Sequence, residues 1–129
     1  MSAKKTTDTT LTFAPNIVVA HRGAWKKNKL PENSIASLRE AVRIGCTGSE
    51  FDVHLTADDS LVVNHDAHYA GLTIEESTYA ELSATKLPNG EMLPTVYQYL
   101  KEGMQQTGTM LVLEIKPSRI SKERGQYLA

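Results

Sequence analysis

The amino-acid sequence predicts an α/β fold with a parallel sheet. Short apolar runs typical of buried strands alternate along the chain with segments of helical period, which is the element order of β/α units. Charged side chains stand at the ends of these apolar runs, where parallel α/β folds place their functional sites. With 129 residues, the chain is long enough for one ordinary domain.

Composition and charge argue against several classes of partner. The 14 basic and 15 acidic residues leave a net charge of −1, so nothing favours nucleic acid or lipid headgroups. No apolar run approaches the roughly 20 residues of a transmembrane segment. Residues 1–14 are polar and Thr-rich, which predicts a flexible arm without the apolar core of a secretory signal. The protein is then cytoplasmic as written, or exported if a leader was removed.

The first predicted β/α unit follows this arm. Residues 17–20 predict a strand and residues 24–32 a loop, and between them Gly23 lets the backbone turn. Asn33 or Ser34 is the expected N-cap of a helix over residues 34–44. The apolar residues of this helix share one face: Ile35, Leu38, Ala41 and Val42. The lone cysteine, Cys46, is expected in the core and excludes an internal disulfide.

The alternation continues to the end of the last apolar run. Residues 49–56 and 61–63 predict two strands joined in a hairpin. A short helix is predicted over residues 77–85, a second from Pro94 to about residue 105, and a strong strand over 110–116. The second of these helices is expected to bury Val96, Leu100 and Met104. The ordered domain is expected to cover residues 15–129.

Three carboxylates stand in or beside apolar strands. In SEFDVHLT, the strand period of two places Glu50 and Asp52 on one face, and Glu114 stands within LVLEIK. Carboxylates held side by side repel one another unless a cation lies between them, and oxygen-only ligands favour Mg²⁺ or Ca²⁺ over zinc. The alternatives are a solvated acidic face or a salt bridge from Lys116 to Glu50.

Two histidines end apolar runs at the same predicted edge of the sheet. His21 and His65 could together take a proton from a nucleophile and give one to a leaving oxygen, as phosphoester cleavage requires. Arg22 and Lys116 would then neutralise phosphate oxygens. Asp66 could orient the imidazole of His65. Each signal is weak alone, and the combination favours phosphate chemistry.

Other candidate residues leave alternatives open. His54 shares a strand face with Asp52 and either lines the pocket or lies at the rim of the hairpin. His68 is expected in an exposed loop. Trp25 is expected to pack beneath its own loop rather than to touch a substrate.

The motifs VVAHRG, LPENS, SEFDVHLTADDSLVVNHD, LPTVYQYL and LVLEIKP, in this order and spacing, resemble the glycerophosphodiester phosphodiesterase family. The resemblance covers roughly residues 17–117. It implies a TIM (β/α)₈ barrel that hydrolyses glycerophosphodiesters to an alcohol and glycerol 3-phosphate. It also implies one divalent cation, Mg²⁺ or Ca²⁺, at the carboxyl-terminal mouth of the barrel.

The resemblance further implies roles for the residues at this mouth. His21 and His65 would be the general acid/base pair. The metal ligands would be Glu50, Asp52 and Glu114.

The same resemblance places basic groups on the substrate. Arg22 and Lys116 match the phosphate-contacting positions of the family, and Glu32 in PEN supports the site. The related phosphatidylinositol-specific phospholipases C share the barrel and the paired histidines but match these motifs less well.

Length is where the sequence departs from the family. A complete barrel takes about 250 residues, so we expect the N-terminal part of one, with about three barrel strands and a small hairpin. Such a part would need the missing barrel half or self-association for stability, because its sheet has an open edge. The alternative function is a non-catalytic interaction module.

Overall fold

The computed structural model describes residues 18–118. The predicted arm over residues 1–14 lies outside this range, and the limits of the domain stay a prediction. The described elements follow one another in this order: β1 (Val19–Ala20), α1 (Ile35–Arg43), β2 (Gly48–Leu55), β3 (Leu61–Val63), β4 (His68–Tyr69), β5 (Leu72–Thr73), a 3₁₀ helix (Ile74–Glu76), α2 (Tyr79–Ser83), α3 (Val96–Gly103) and β6 (Met110–Ile115).

The main sheet is built around β2. This strand pairs in parallel with β1 and with β6, and antiparallel with β3. The β2–β6 register aligns Glu50 with Val112 and Asp52 with Glu114. The predicted parallel sheet and the predicted hairpin of β2 and β3 are therefore confirmed. The register brings the acidic positions of two strands to one end of the sheet.

Helix α1 begins where the sequence predicts. The Ser34 side chain accepts a hydrogen bond from the backbone N–H of Ser37, whose own hydroxyl bonds back to the Ser34 N–H. This reciprocal pair satisfies two backbone donors that the first helical turn would otherwise leave free. Leu38 and Ala41 are buried on the face turned toward the sheet, and Cys46 is buried with Ala41 as expected.

The main core lies between the sheet and helices α1 and α3. Phe51 of β2 stacks on Tyr99 of α3 with ring centroids 4.5 Å apart. Buried Leu38, Val53 and Val63 complete this cluster. Stacked rings and close-packed aliphatic groups make β2 a rigid platform for the polar residues at its carboxyl end.

The prediction for α3 is wrong in its first residue and in part of its buried face. Thr95 is the N-cap, because the Pro94 carbonyl accepts a hydrogen bond from the Val63 N–H and so extends the edge of β3. Met104 is 77% exposed. Gly103 faces inward instead, since its missing side chain admits Leu111: a Cβ there would lie 2.6 Å from the Leu111 Cδ1.

A second small hairpin, β4–β5, was not predicted. Ala70 and Gly71 form its turn, with φ angles of 53° and 81°. Paired left-handed residues are what a tight hairpin turn requires, but Ala is an unusual residue for the first of them. His68 is exposed as expected, although it lies in β4.

Helix α2 is shorter than the predicted 77–85. Thr78 caps it, a 3₁₀ turn precedes it, and Leu82 faces inward as expected. Within residues 18–118, no helix combines the length and the hydrophobicity needed to cross a membrane. Large apolar side chains are exposed on β1 and β6, with Val19 at 49% and Leu113 at 50%. Their coverage by further barrel strands or by self-association stays a prediction.

Candidate functional site

Three carboxylates converge at the carboxyl end of β2 and β6. One oxygen each from Glu50, Asp52 and Glu114 lies within 4.8 Å of the others. Glu50 and Asp52 are buried, whereas the Glu114 side chain is half exposed. Their convergence follows from the sheet, because the parallel register sets Asp52 beside Glu114 and Glu50 two residues earlier on the same face.

The buried negative charge of this acidic cluster favours the binding of a cation. Burial, together with the negative charge of Asp52, raises the pKa of Glu50 to about 7. Glu50 Oε2 and Asp52 Oδ1 are buried and accept no hydrogen bond from the described part of the chain. Buried carboxylate oxygens without donors are costly unless a positive charge compensates them. The donor set is all oxygen, which suits a hard divalent ion.

Lys116 lies against two of the three carboxylates. Its Nζ is 2.8 Å from Glu114 Oε2 and 3.4 Å from Asp52 Oδ1. The hydrogen bond between Lys116 and Glu114 raises the pKa of Lys116 and lowers that of Glu114. The alternative expectation of a Lys116–Glu50 salt bridge is wrong, because the register of β6 carries Lys116 past Asp52 rather than toward Glu50.

The turn after β1 brings Arg22 onto the acidic cluster. Arg22 has a left-handed backbone with φ of 59°, and its N–H donates to Glu50 Oε1 at 3.1 Å. Its guanidinium lies 3.2 Å from Glu32 Oε1 and 3.8 Å from Asp52 Oδ2. Gly23 follows with φ of 83°, and a Cβ there would lie 2.6 Å from Ser37 Cβ. The turn therefore requires glycine for both its conformation and its space.

His21 stands at the solvent side of this cluster. Its Nε2 is 3.8 Å from Glu50 Oε1, and its side chain is 68% exposed. The backbone carbonyl of His21 accepts a hydrogen bond from the indole of Trp25 at 3.2 Å. The Trp25 side chain thus connects its own loop to the end of β1 by a hydrogen bond.

His65 lies just beyond β3, and its contacts are mostly local. Its Nδ1 is 2.9 Å from Asp66 Oδ1, and its side chain is 32% exposed. The Nε2 of buried His54 lies 3.0 Å from the His65 backbone carbonyl. A carbonyl only accepts, so His54 Nε2 carries the proton in this contact. His54 thus contacts the backbone that carries His65, and burial lowers the pKa of its own ring.

The sequence reasoning missed the role of Asn33. The sequence pattern predicts Asn33 only as a possible helix cap, but Ser34 is the cap and Asn33 contacts Asp52 twice. The available signal was its place in PENS, since Asn is among the few residues that readily adopt a left-handed backbone between a loop and a helix.

The arrangement combines three chemical capacities around strand β2. Carboxylates can hold a cation, the guanidinium and ammonium groups can neutralise anionic oxygens, and the imidazoles can exchange protons near neutral pH. These are the capacities that phosphoryl chemistry requires. The residues with these groups are Glu50, Asp52 and Glu114, then Arg22 and Lys116, then His21 and His65.

Known proteins are similar to this chain in sequence and in structure. Residues 21–127 match the Glycerophosphoryl diester phosphodiesterase family. The chain is 34% identical over 94 residues to a glycerophosphodiester phosphodiesterase of Caldanaerobacter subterraneus, an alignment that covers 64% of this chain and 38% of that protein.

Two solved structures show the structural likeness. A glycerophosphodiester phosphodiesterase from Parabacteroides distasonis matches with a TM-score of 0.79 and 49% identity, over 84% of this chain and 45% of that one. An Oleispira antarctica phosphodiesterase, in complex with the product sn-glycerol-3-phosphate, matches with a TM-score of 0.70 and 31% identity. That match covers 85% of this chain and 48% of the other.

The chain spans less than half the length of these relatives. Within that span, the likeness confirms the predicted fold class, which is part of a (β/α)₈ barrel.

Proposed function

The chain belongs to the glycerophosphoryl diester phosphodiesterase family, and we propose that its strand-end residues form the centre of an enzyme that hydrolyses glycerophosphodiesters. The products are an alcohol and glycerol 3-phosphate. The observation that carries the proposal is the convergence of three carboxylates beside two basic side chains at one sheet edge. The product held by the Oleispira antarctica relative supports the substrate class.

Glu50, Asp52 and Glu114 are the proposed ligands of one divalent cation, Mg²⁺ or Ca²⁺. A divalent cation bound there would act as a Lewis acid on a phosphoryl oxygen, which would offset the negative charge on that oxygen and make phosphorus more open to attack. Two of the ligands, Glu50 and Asp52, are buried on the rigid strand β2, which keeps their oxygens in place before the cation arrives.

His21 and His65 are the proposed proton-transfer pair. One imidazole takes the proton of the attacking hydroxyl, from water or from the neighbouring glycerol hydroxyl, as its oxygen bonds to phosphorus. Attack by the glycerol hydroxyl gives a cyclic phosphate, which water then opens to glycerol 3-phosphate. The other imidazole gives a proton to the departing alkoxide as the phosphorus–oxygen bond breaks. The contact between Asp66 and the Nδ1 of His65 favours a single ring orientation.

Arg22 and Lys116 are the proposed phosphate contacts. Both side chains lie close to the acidic cluster and are largely shielded from solvent. Water therefore weakens their attraction for a phosphate oxygen only a little. Glu32 supports Arg22 through two contacts between its carboxylate oxygens and the Arg22 Nη1, at 3.2 and 3.3 Å.

The experiment that tests the proposal is cation removal from the complete natural polypeptide that contains these residues. With glycerophosphocholine as substrate, glycerol 3-phosphate release should stop in excess EDTA and return with Mg²⁺ or Ca²⁺. Asp52→Asn should weaken cation binding by more than the roughly 10- to 100-fold that is typical of changes to a ligand's hydrogen-bonded partners, because it removes the charge of a buried ligand.

Asp59→Asn is the matched control, since Asp59 lies in the turn between β2 and β3. It should bind the cation like the unaltered protein. Full activity in excess EDTA, with no ion held in the protein by elemental analysis, would show that the carboxylates are structural and that the proposed mechanism is wrong.

A further inference from the structure

Asn33 contacts the most buried carboxylate of the site through both ends of its amide. Its Nδ2 donates to Asp52 Oδ2 at 3.0 Å, and its Oδ1 accepts the Asp52 backbone N–H at 3.2 Å. Since a backbone N–H only donates, the second bond fixes which end of the amide is oxygen. Asn33 is 2% exposed and Asp52 is not exposed at all. Water therefore does not compete for this pair.

The backbone of Asn33 is itself held in place. It has a left-handed conformation with φ of 56°, and its N–H donates to the Arg22 carbonyl at 2.8 Å. The next residue, Ser34, caps α1. The backbone that carries the amide is thus held between the turn after β1 and the start of a helix, while the Asp52 N–H holds the amide oxygen.

The two oxygens of Asp52 have different surroundings as a result. Oδ2 receives the Asn33 amide and lies 3.8 Å from the Arg22 Nε. Oδ1 accepts no hydrogen bond, is buried, and has the Lys116 ammonium 3.4 Å away. A carboxylate whose one oxygen is tied to a fixed amide presents the other oxygen in one direction.

We propose that Asn33 is a positioning residue for the cation site, which holds the Asp52 carboxylate so that Oδ1 serves as the metal ligand. The inference rests on the cation site of the proposed function. Asn33 suits this role because its amide is neutral, so it orients Asp52 without neutralising the charge that the cation needs. Hydrogen-bonded partners of ligands commonly account for a 10- to 100-fold difference in metal affinity.

The test compares Asn33→Gly with Ser34→Ala in the complete polypeptide. Glycine readily adopts the left-handed backbone and removes the amide with the rest of the side chain, whereas Ser34→Ala removes the neighbouring helix cap and leaves the amide in place. Titration calorimetry with Ca²⁺ or Mg²⁺ alone measures the affinity, and thermal melting measures the stability. We expect about 10- to 100-fold weaker binding for Asn33→Gly and unchanged binding for Ser34→Ala, although both variants melt at lower temperature.

Three results separate the possible failures. Unchanged cation affinity in Asn33→Gly overturns the inference, and so does an equal loss of affinity in Ser34→Ala, since that would show a general effect of local destabilisation. Absence of cation binding in the unaltered protein overturns the proposed cation site itself. If Asn33→Gly does not fold, Asn33→Ser, which also lacks the amide, is titrated in its place with the same expected result.

Discussion

The acidic and the imidazole parts of the candidate site are held in different ways. The carboxylates of Asp52 and Glu114 lie on paired strands, in a register that makes them direct neighbours. The imidazoles of His21 and His65 follow their strands, and their side chains are 68% and 32% exposed. One part of the site is therefore fixed by the sheet, and the other by a few contacts within loops.

The difference corresponds to what each part has to do. Like charges kept close together repel, and only a rigid frame such as β2 and β6 maintains their spacing. Acid and base groups must reach protons on a substrate, which requires access to the open face of the site. We therefore expect substitutions of the strand carboxylates to weaken cation binding. Substitutions of the loop histidines should lower the rate of proton transfer and leave cation binding unchanged.

The largest expected effect is a loss of turnover, without a loss of cation affinity, when either histidine is replaced. In the complete polypeptide, His21→Ala and His65→Ala should each lower kcat about 100- to 10,000-fold, because each removes a proton-transfer group. Both variants should keep the cation affinity of the unaltered protein, in contrast to Asp52→Asn. Steady-state kinetics and calorimetry on the same preparations measure the two quantities.

His68→Ala is the matched control for these variants, since His68 is an exposed histidine in the small β4–β5 hairpin. Its kcat should not change. If His21→Ala or His65→Ala turned over like the unaltered protein, that histidine would have no part in proton transfer.

The sequence predicts some features of the fold and of the site better than others. Strand period is a local regularity, and the parallel α/β fold class places the carboxyl ends of its strands at one edge, so the sequence predicts the convergence of Glu50, Asp52 and Glu114. The N-cap was predictable to within one residue, Asn33 or Ser34, for a similar reason, because capping depends on residues only a few positions apart.

Features that depend on long-range packing were not predictable from the same patterns. The inward face of α3 is set by the approach of Leu111 to Gly103, which the helical period of apolar residues does not reveal. The pairing of Asn33 with Asp52 joins residues that are 19 positions apart and depends on a left-handed backbone. Propensity and periodicity carry no information about such contacts.

The second prediction concerns the stability of the turn that carries His21 and Arg22. Gly23→Ala and Gly71→Ala both place a Cβ on a glycine with positive φ, but only at Gly23 does the Cβ meet other atoms. The conformational cost should be about 1–2 kcal/mol at each site. The contact with Ser37 should add about 1–3 kcal/mol at Gly23 alone. Urea unfolding of both variants measures the difference, and equal destabilisation would show that the turn tolerates a side chain.

The smallest expected effect concerns His54, through which strand β2 contacts the loop of His65. Its Nε2–H donates to the His65 carbonyl, so removing that donor should loosen the backbone that carries the imidazole. His54→Leu keeps a buried side chain without a donor, whereas His54→Gln offers an amide N–H at a similar reach. We expect His54→Leu to lower kcat about tenfold, a cost near that of one buried hydrogen bond, with KM nearly unchanged. His54→Gln should retain most of the activity. Equal kcat values for the two variants would mean that the donor does not position His65, and that the loop is held by its own contacts with Asp66 and Asn64.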